Sequence, residues 1–372
     1  MKHKPQSLTR RSAALVLAIS AATALCCQIS PIFARAQDDD TAGSGNGQSS
    51  ATDKDEKSAS ASPLTPSDKS AKEVFAAVAE TLDNAMGLSC DIRQMISMSG
   101  LKFVADGKYA QASGNRFRLE YQIQPIRSVR NSDKNTVDDP LQPVGDSKTA
   151  TGSLLQVSDG SVLWSHWKNG DKQEASRRNI AEILKAVEDI PNYSTASSLQ
   201  DLGVGGLQTL MSKLQTGMDF GAVQERTVAG KTLLVLSGRW SRKSLTEIFK
   251  VPEDVKDPIM QGYLPDYVRI YVDTASNLPR RIQYLKRHPD PEQAKVRPLV
   301  TLDFRNLNLN PPFGESAFEI PRLTDDDITE ADLTSDVIDN IKRLASADSG
   351  DEGADDKTTD ESPDADSSGK GE

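Results

Sequence analysis

Apolar and polar residues alternate along much of the chain's second half. Val268, Ile270 and Val272 interleave with Tyr267, Arg269 and Tyr271. Ile282 and Tyr284 continue the period after a turn at 275–277, and Val300, Leu302 and Phe304 carry it through a third run. A period of two with unlike faces belongs to a half-buried strand. Residues 264–321 therefore predict three antiparallel strands in succession, and their apolar face needs a cover.

The rest of the chain supplies candidates for that cover. Ser70 and Glu73 form a capping box before an apolar stripe of Val74, Phe75, Val78, Leu82 and Ala85, so a helix starts near 71, and Gly87 is placed to end it. Strands follow over 88–98, 101–110 and 116–123, with turns at Gly100 and at Ser113, Gly114 and Asn115. Cys90 lies in phase with Leu88, Ile92, Ile96 and Met98, which reads as a small buried hydrophobe. Over 125–150 the pattern lapses into Asp, Asn, Pro and Lys, an insertion-like loop. Strands resume with Leu155 and Val157, a turn at Ser158, Asp159 and Gly160, then Val162, Trp164 and His166, and a third run over 172–178 after an Asn169-Gly170 hairpin signal. Ile180, Ile183, Leu184 and Val187, then Leu207, Leu210, Met211 and Leu214, predict two amphipathic helices. A hairpin over 220–227 and 231–240 turns at Ala229-Gly230, and a short polar helix is predicted over 245–250.

No βαβ alternation is present, which argues against a parallel α/β sheet. The predicted class is mainly β (α+β): a strongly curved antiparallel sheet, an open half-barrel of about eleven strands, with helices covering the concave face.

The two ends carry different compositions. Lys2, Lys4, Arg10 and Arg11 precede an apolar run over 13–25, and Ala34-Arg35-Ala36 offers a small-x-small site, so 1–36 reads as a signal peptide cleaved after Ala36. The Arg10-Arg11 pair leaves a twin-arginine signal open, and a retained signal anchor is the alternative to cleavage. Residues 37–66 are a polar linker too poor in large apolar side chains to fold. The last 49 residues, 324–372, hold 17 acidic and 4 basic side chains, a net charge of −13 against −10 for the whole chain. Residues 323–372 thus read as an acidic, largely disordered tail, in which Leu333, Val337, Ile341 and Leu344 are spaced for one short docking helix. What remains, 67–322, is a single domain of about 255 residues. After cleavage Cys90 is its sole cysteine, so an apolar core rather than a disulfide must hold it together.

Three stretches carry a family likeness: "VSDGSVLW" (157–164), "VRIYVDTASNLPRRIQY" (268–284) and "VTLDFRNLNLNPPFGESAFEIP" (300–321). In this order they resemble the LolA-like family of periplasmic carriers, which shuttle lipoproteins to the outer membrane, over residues 71–321. The resemblance implies a half-barrel whose concave face and covering helices bound an apolar cavity for acyl chains. It also implies an arginine near the end of the second strand that latches the helical lid. This chain has Gln111-Ala112-Ser113-Gly114 there instead.

Catalytic and metal chemistry find no residue set. In the chain left after cleavage at Ala36, His166 and His288 are far apart in sequence and outside any ligand spacing, and no cysteine pair exists for zinc. The glycine-rich run over 202–207 follows no predicted strand and lacks the phosphate-loop fingerprint. No carboxylate pair sits in an apolar setting suited to acid/base work. The sequence therefore predicts a non-enzymatic, cofactor-free, exported binding or carrier protein, monomeric and without nucleic acid, its partners lipid or lipoprotein acyl chains. The lining residues expected are Phe117, Leu119, Tyr121, Trp164, Leu210, Met211, Leu214, Leu234, Leu236, Ile270, Ile282 and Phe304. The alternative is a non-catalytic interaction or stress-sensor module that touches an envelope protein partner. Whether the apolar face lines a cavity or seals a packed core is open at this level.

Overall fold

The structure is a computed structural model that describes residues 62–98, 101–125, 152–188, 205–262, 264–288, 290, 296–323 and 328–348. The predicted signal peptide, most of the polar linker, the 126–150 part of the insertion and the tail beyond Asp348 lie outside the described residues.

In chain order the elements are β1 (Thr65–Pro66), α1 (Ala71–Asp83), β2 (Gly87–Met98), β3 (Leu101–Ala112), β4 (Arg116–Pro125), β5 (Gly152–Asp159), β6 (Val162–Asn169), β7 (Lys172–Asn179), α2 (Ile180–Val187), α3 (Gly206–Gly217), β8 (Met218–Phe220), β9 (Gln224–Val228), β10 (Lys231–Trp240), α4 (Arg242–Glu247), β11 (Tyr267–Asp273), β12 (Leu278–Arg287), β13 (Val296–Leu309), β14 (Glu330–Asp332) and α5 (Thr334–Asp348). All fourteen strands join one sheet in the order β1-β9-β10-β11-β12-β13-β2-β3-β4-β5-β6-β7-β14, with β8 against β10. Its two ends do not pair, so the sheet is open rather than a closed barrel. Every neighbour is antiparallel except β14, which runs parallel to β7.

Beyond the eleven or so strands that alternation predicts, the sheet gains β1, β8 and β14, each only two or three residues long. Such short strands carry no period to detect. The helix expected over 245–250 lies earlier, at α4, because the Ser241 hydroxyl accepts from the Ser244 N–H and starts it there.

Local chemistry explains the remaining boundaries. The Ser70–Glu73 capping box forms at the start of α1, with the Glu73 carboxylate accepting from the Ser70 N–H at 2.7 Å. Gly114 and Asn115 take positive φ values of 75° and 61°, the left-handed geometry that turns β3 into β4. Curvature has its own markers. At Gly107 a Cβ would fall 1.7 Å from the Glu120 carbonyl oxygen, so only glycine lets β4 approach β3 so closely. Register shifts occur within β11–β12, β12–β13 and β13–β2, and a bulge bends its strand and adds twist.

One face of this sheet is apolar from β10 to β6, and its side chains fall into a single buried cluster with those of α1 and α3. Strands on both halves of the sheet reach the same cluster, which a flat sheet of this width could not do. That inner face is concave, and α1 and α3 fill it. Phe75 of α1 meets Phe220 of β8 edge-on, ring centres 4.9 Å apart. The loop between α4 and β11 closes the β10–β12 side: Met260 joins the cluster, and the buried Lys286 ammonium donates to the carbonyls of Met260 and Leu264 at 2.5 and 3.1 Å.

Candidate functional site

The inner face is organised by cross-strand rows. One runs Leu236, Ile270, Ile282, Leu302, Gln94, Ala105, Ile123 across seven consecutive strands, each residue opposite the next. A second runs Phe304, Ile92, Gly107, Tyr121, Leu154, Trp167. Directly opposed side chains are the unit of sheet stabilisation, so these rows make one continuous apolar floor. Its cover is Val74, Phe75, Val78 and Leu82 from α1 with Leu207, Leu210, Met211 and Leu214 from α3, at the spacing of one helical face.

Eleven of the twelve residues expected to line a ligand site belong to this cluster: Phe117, Leu119, Tyr121, Leu210, Met211, Leu214, Leu234, Leu236, Ile270, Ile282 and Phe304. Trp164 does not. It is 2% exposed but points to the outer face, because the register of β6 places Leu163 and Trp167 inward. Its indole N–H donates to the Glu330 carboxylate of β14 at 2.8 Å. Leu155 and Val157 of β5 are opposite His166 and Trp164 and share that outer face. On β6 large residues occupy both faces, so alternation by itself does not say which is inside.

Two polar groups on the inner face escape a reading by apolar periodicity. Gln94 is 1% exposed, stands between Leu302 and Ala105, and its amide nitrogen has no hydrogen-bond partner. The signal was present in the sequence: Gln94 is in phase with Cys90, Ile92 and Ile96, a polar residue at an inward position. The Trp167 indole nitrogen is also buried without a partner. A third group serves the helical cover. The Gln111 side-chain oxygen accepts from the Tyr109 hydroxyl at 2.9 Å and from the Leu207 N–H at 3.4 Å, fastening the first turn of α3 to the end of β3. This is the stretch in which the family resemblance calls for an arginine, and a neutral amide makes the contact. At the α1 C-terminus Gln208 donates to Asp83, tying the two covering helices together.

The outer face is of another kind. Arg281 grips Asp303 through two hydrogen bonds of 2.5 and 2.9 Å, both residues 1% exposed. Arg93 lies 3.6 Å from Asp106, and Arg305 lies 3.8 Å from Asp303. Burial pushes the Asp106 carboxyl above its ordinary value, with Arg93 and Arg305 pulling the other way, and burial pulls Arg305 down. Beside this network is a depression of about 340 Å³ lined by Asp91, Lys108, Arg118, Glu120 and Asn306 together with Cys90, Tyr109 and Ala110. Asn306, at φ 49°, sits in the β13 bulge and donates to Asp91 at 2.6 Å.

Burial pushes the Cys90 thiol up to about 12, far from a nucleophilic thiolate. Among the described residues no group of three His, Cys, Asp or Glu side chains is placed to hold a metal, and no helix is long and apolar enough to cross a membrane.

No protein-family profile matches the chain, and neither does any curated protein. Similar solved structures include a LolA superfamily protein from Nitrosomonas europaea, 8% identical, covering 67% of this chain and 97% of that one with a TM-score of 0.24. LprF from Mycobacterium bovis is 14% identical over 69% of this chain and 98% of its own, TM-score 0.30. The MucA/MucB complex of Pseudomonas aeruginosa matches at 14% identity over 67% of this chain and 60% of that one, TM-score 0.28. By its own topology the chain is an open curved sheet with helices on the concave face, the half-barrel form that its sequence resemblance implied.

Proposed function

We propose that this protein is an exported, non-catalytic carrier that holds an apolar ligand, a lipid acyl chain or lipoprotein anchor, between the inner face of its sheet and helices α1 and α3. One observation carries the reading: eleven residues from strands β4, β10, β11, β12 and β13 and helix α3 converge on a single apolar surface. The cover on that surface is held by the apolar faces of α1 and α3 and, at the start of α3, by the Gln111 side-chain amide, contacts that are separate from the ladder bonds of the sheet. Ligand sites of this kind are concave, mostly apolar, and carry a few placed polar groups.

The test is native mass spectrometry and lipid extraction of the purified chain, followed by displacement of a fluorescent apolar dye. Bound or bindable lipid at a stoichiometry near one supports the reading. Neither retained lipid nor dye binding would remove its basis.

A second reading, an envelope interaction module, draws on a different place. The edge of β7 receives β14 as an added strand, with Arg177 3.4 Å from Asp332 and Trp164 bonded to Glu330, so this edge is fitted to an acidic extended segment. Cross-linking in envelope fractions separates the two: a stable protein partner without bound lipid favours the second.

A further inference from the structure

The central row of the inner face contains six apolar side chains and Gln94. An amide buried without a hydrogen bond is disfavoured, and such groups are uncommon enough in native proteins to require an explanation. Leucine would fit the same volume without that cost. Gln94 also faces Ala105, whose methyl group leaves the floor low at that point. Along the second row, four strands away, the Trp167 N–H is buried and likewise unpartnered. An indole nitrogen can only donate. Among the described residues no orphaned side-chain acceptor lies on this face: those of Asp106 and Ser276 belong to the outer face and to the β11–β12 turn. The floor thus offers unused donors set in hydrocarbon, which is complementary to an apolar chain that carries acceptors.

Resting on the carrier reading above, we infer that the ligand is a fatty-acyl chain with its carbonyl, as ester or amide, and that Gln94 Nε2 donates to that carbonyl. Trp167 Nε1 serves a second acceptor farther along the same floor. Gln94 is on this account a specificity residue that discriminates acyl compounds from plain hydrocarbon. A site built to donate a hydrogen bond rejects the analogue that cannot accept it, because the donor is then left buried and unpaired.

The test is displacement of an apolar dye from the delipidated full chain by three probes of matched length: dodecane, methyl laurate and N-lauroylglycinamide. Wild-type protein should prefer one or both carbonyl probes to dodecane by about tenfold, the worth of a hydrogen bond of about 1.4 kcal/mol. Ester and amide arms separate a glyceride-type source from an N-acyl one. Gln94→Leu should abolish the preference, bind dodecane at least as tightly as wild type does and melt no lower than wild type. Gln94→Met, also apolar and of similar volume, gives the same readout if the leucine variant folds poorly. Equal affinity of wild type for all three probes, or a preference that survives both substitutions, overturns the inference while the carrier reading stands. Binding of none of the three overturns both.

Discussion

Gln111 and Leu207, 96 residues apart in sequence, meet where the side-chain oxygen of the first accepts from the backbone N–H of the second at 3.4 Å. The contact depends on Gly206, whose φ of 61° is left-handed and at which a Cβ would lie 2.0 Å from the same oxygen. Gln111→Ala should therefore loosen α3 selectively, at a cost of about 1 kcal/mol. Hydrogen exchange should speed up in 206–217 and stay unchanged in β11–β13. Gly206→Ala should have the larger effect, since it adds backbone strain to the clash. Unchanged exchange in α3 would mean that side-chain packing, not this contact, holds the cover.

The central row makes a second prediction. Ile282 is fully buried between Ile270 and Leu302. Ile282→Ala should destabilise the fold by roughly 2–5 kcal/mol, read from the urea midpoint. A smaller loss would indicate that the floor is loosely packed.

The outer strap should act independently of the ligand face. Glu330→Ala removes the acceptor of the Trp164 N–H, and about 1 kcal/mol of stability should go with it. Removing β14 and α5 altogether should expose Trp164, whose indole N–H bonds to Glu330 of β14, and shift its fluorescence to the red; it also uncovers Ile183 of α2, on which Ile341 packs. Apolar-dye affinity should be the same in both variants. A fall in dye affinity would tie the strap to the inner face.

These contrasts bear on what the sequence could disclose. The long strands and their turns were legible because alternation over seven or more residues, bounded by Gly114-Asn115 or Asn169-Gly170, admits few other structures. Face assignment was legible only where one side was clearly polar. On β4 Arg116, Arg118, Glu120 and Gln122 settle it. On β6 Leu163, Trp164 and Trp167 straddle both faces, and the register with Leu154 decides, a long-range fact. Gln94 was hidden differently: a search for apolar periodicity passes over the one polar residue in phase. The outer strap depends on β14, three residues whose pairing with β7 no local pattern signals.

A pH dependence follows from Asp106. Burial raises its folded value above that of the unfolded chain, the pull of Arg93 and Arg305 notwithstanding. A carboxyl shifted upward contributes stability that is fully present below its unfolded value, about 4, and is lost as pH rises through the folded one. Asp106→Asn should accordingly match wild type near pH 3.5 and be more stable than wild type at pH 7. Denaturation by urea at the two pH values checks this. A variant less stable than wild type at pH 7 would show that Asp106 is needed as an anion by its arginine neighbours.

The central claim is that the concave face opens to hold an acyl ligand beneath the cover of α1 and α3. A crystal structure of the chain saturated with methyl laurate tests it most directly. The expected result is ligand density between that cover and the Ile282–Leu302 row, its carbonyl within hydrogen-bonding distance of Gln94, with the cover displaced outward. A saturated crystal in which the cover stays in place, and the ligand is missing or lies elsewhere, would contradict it.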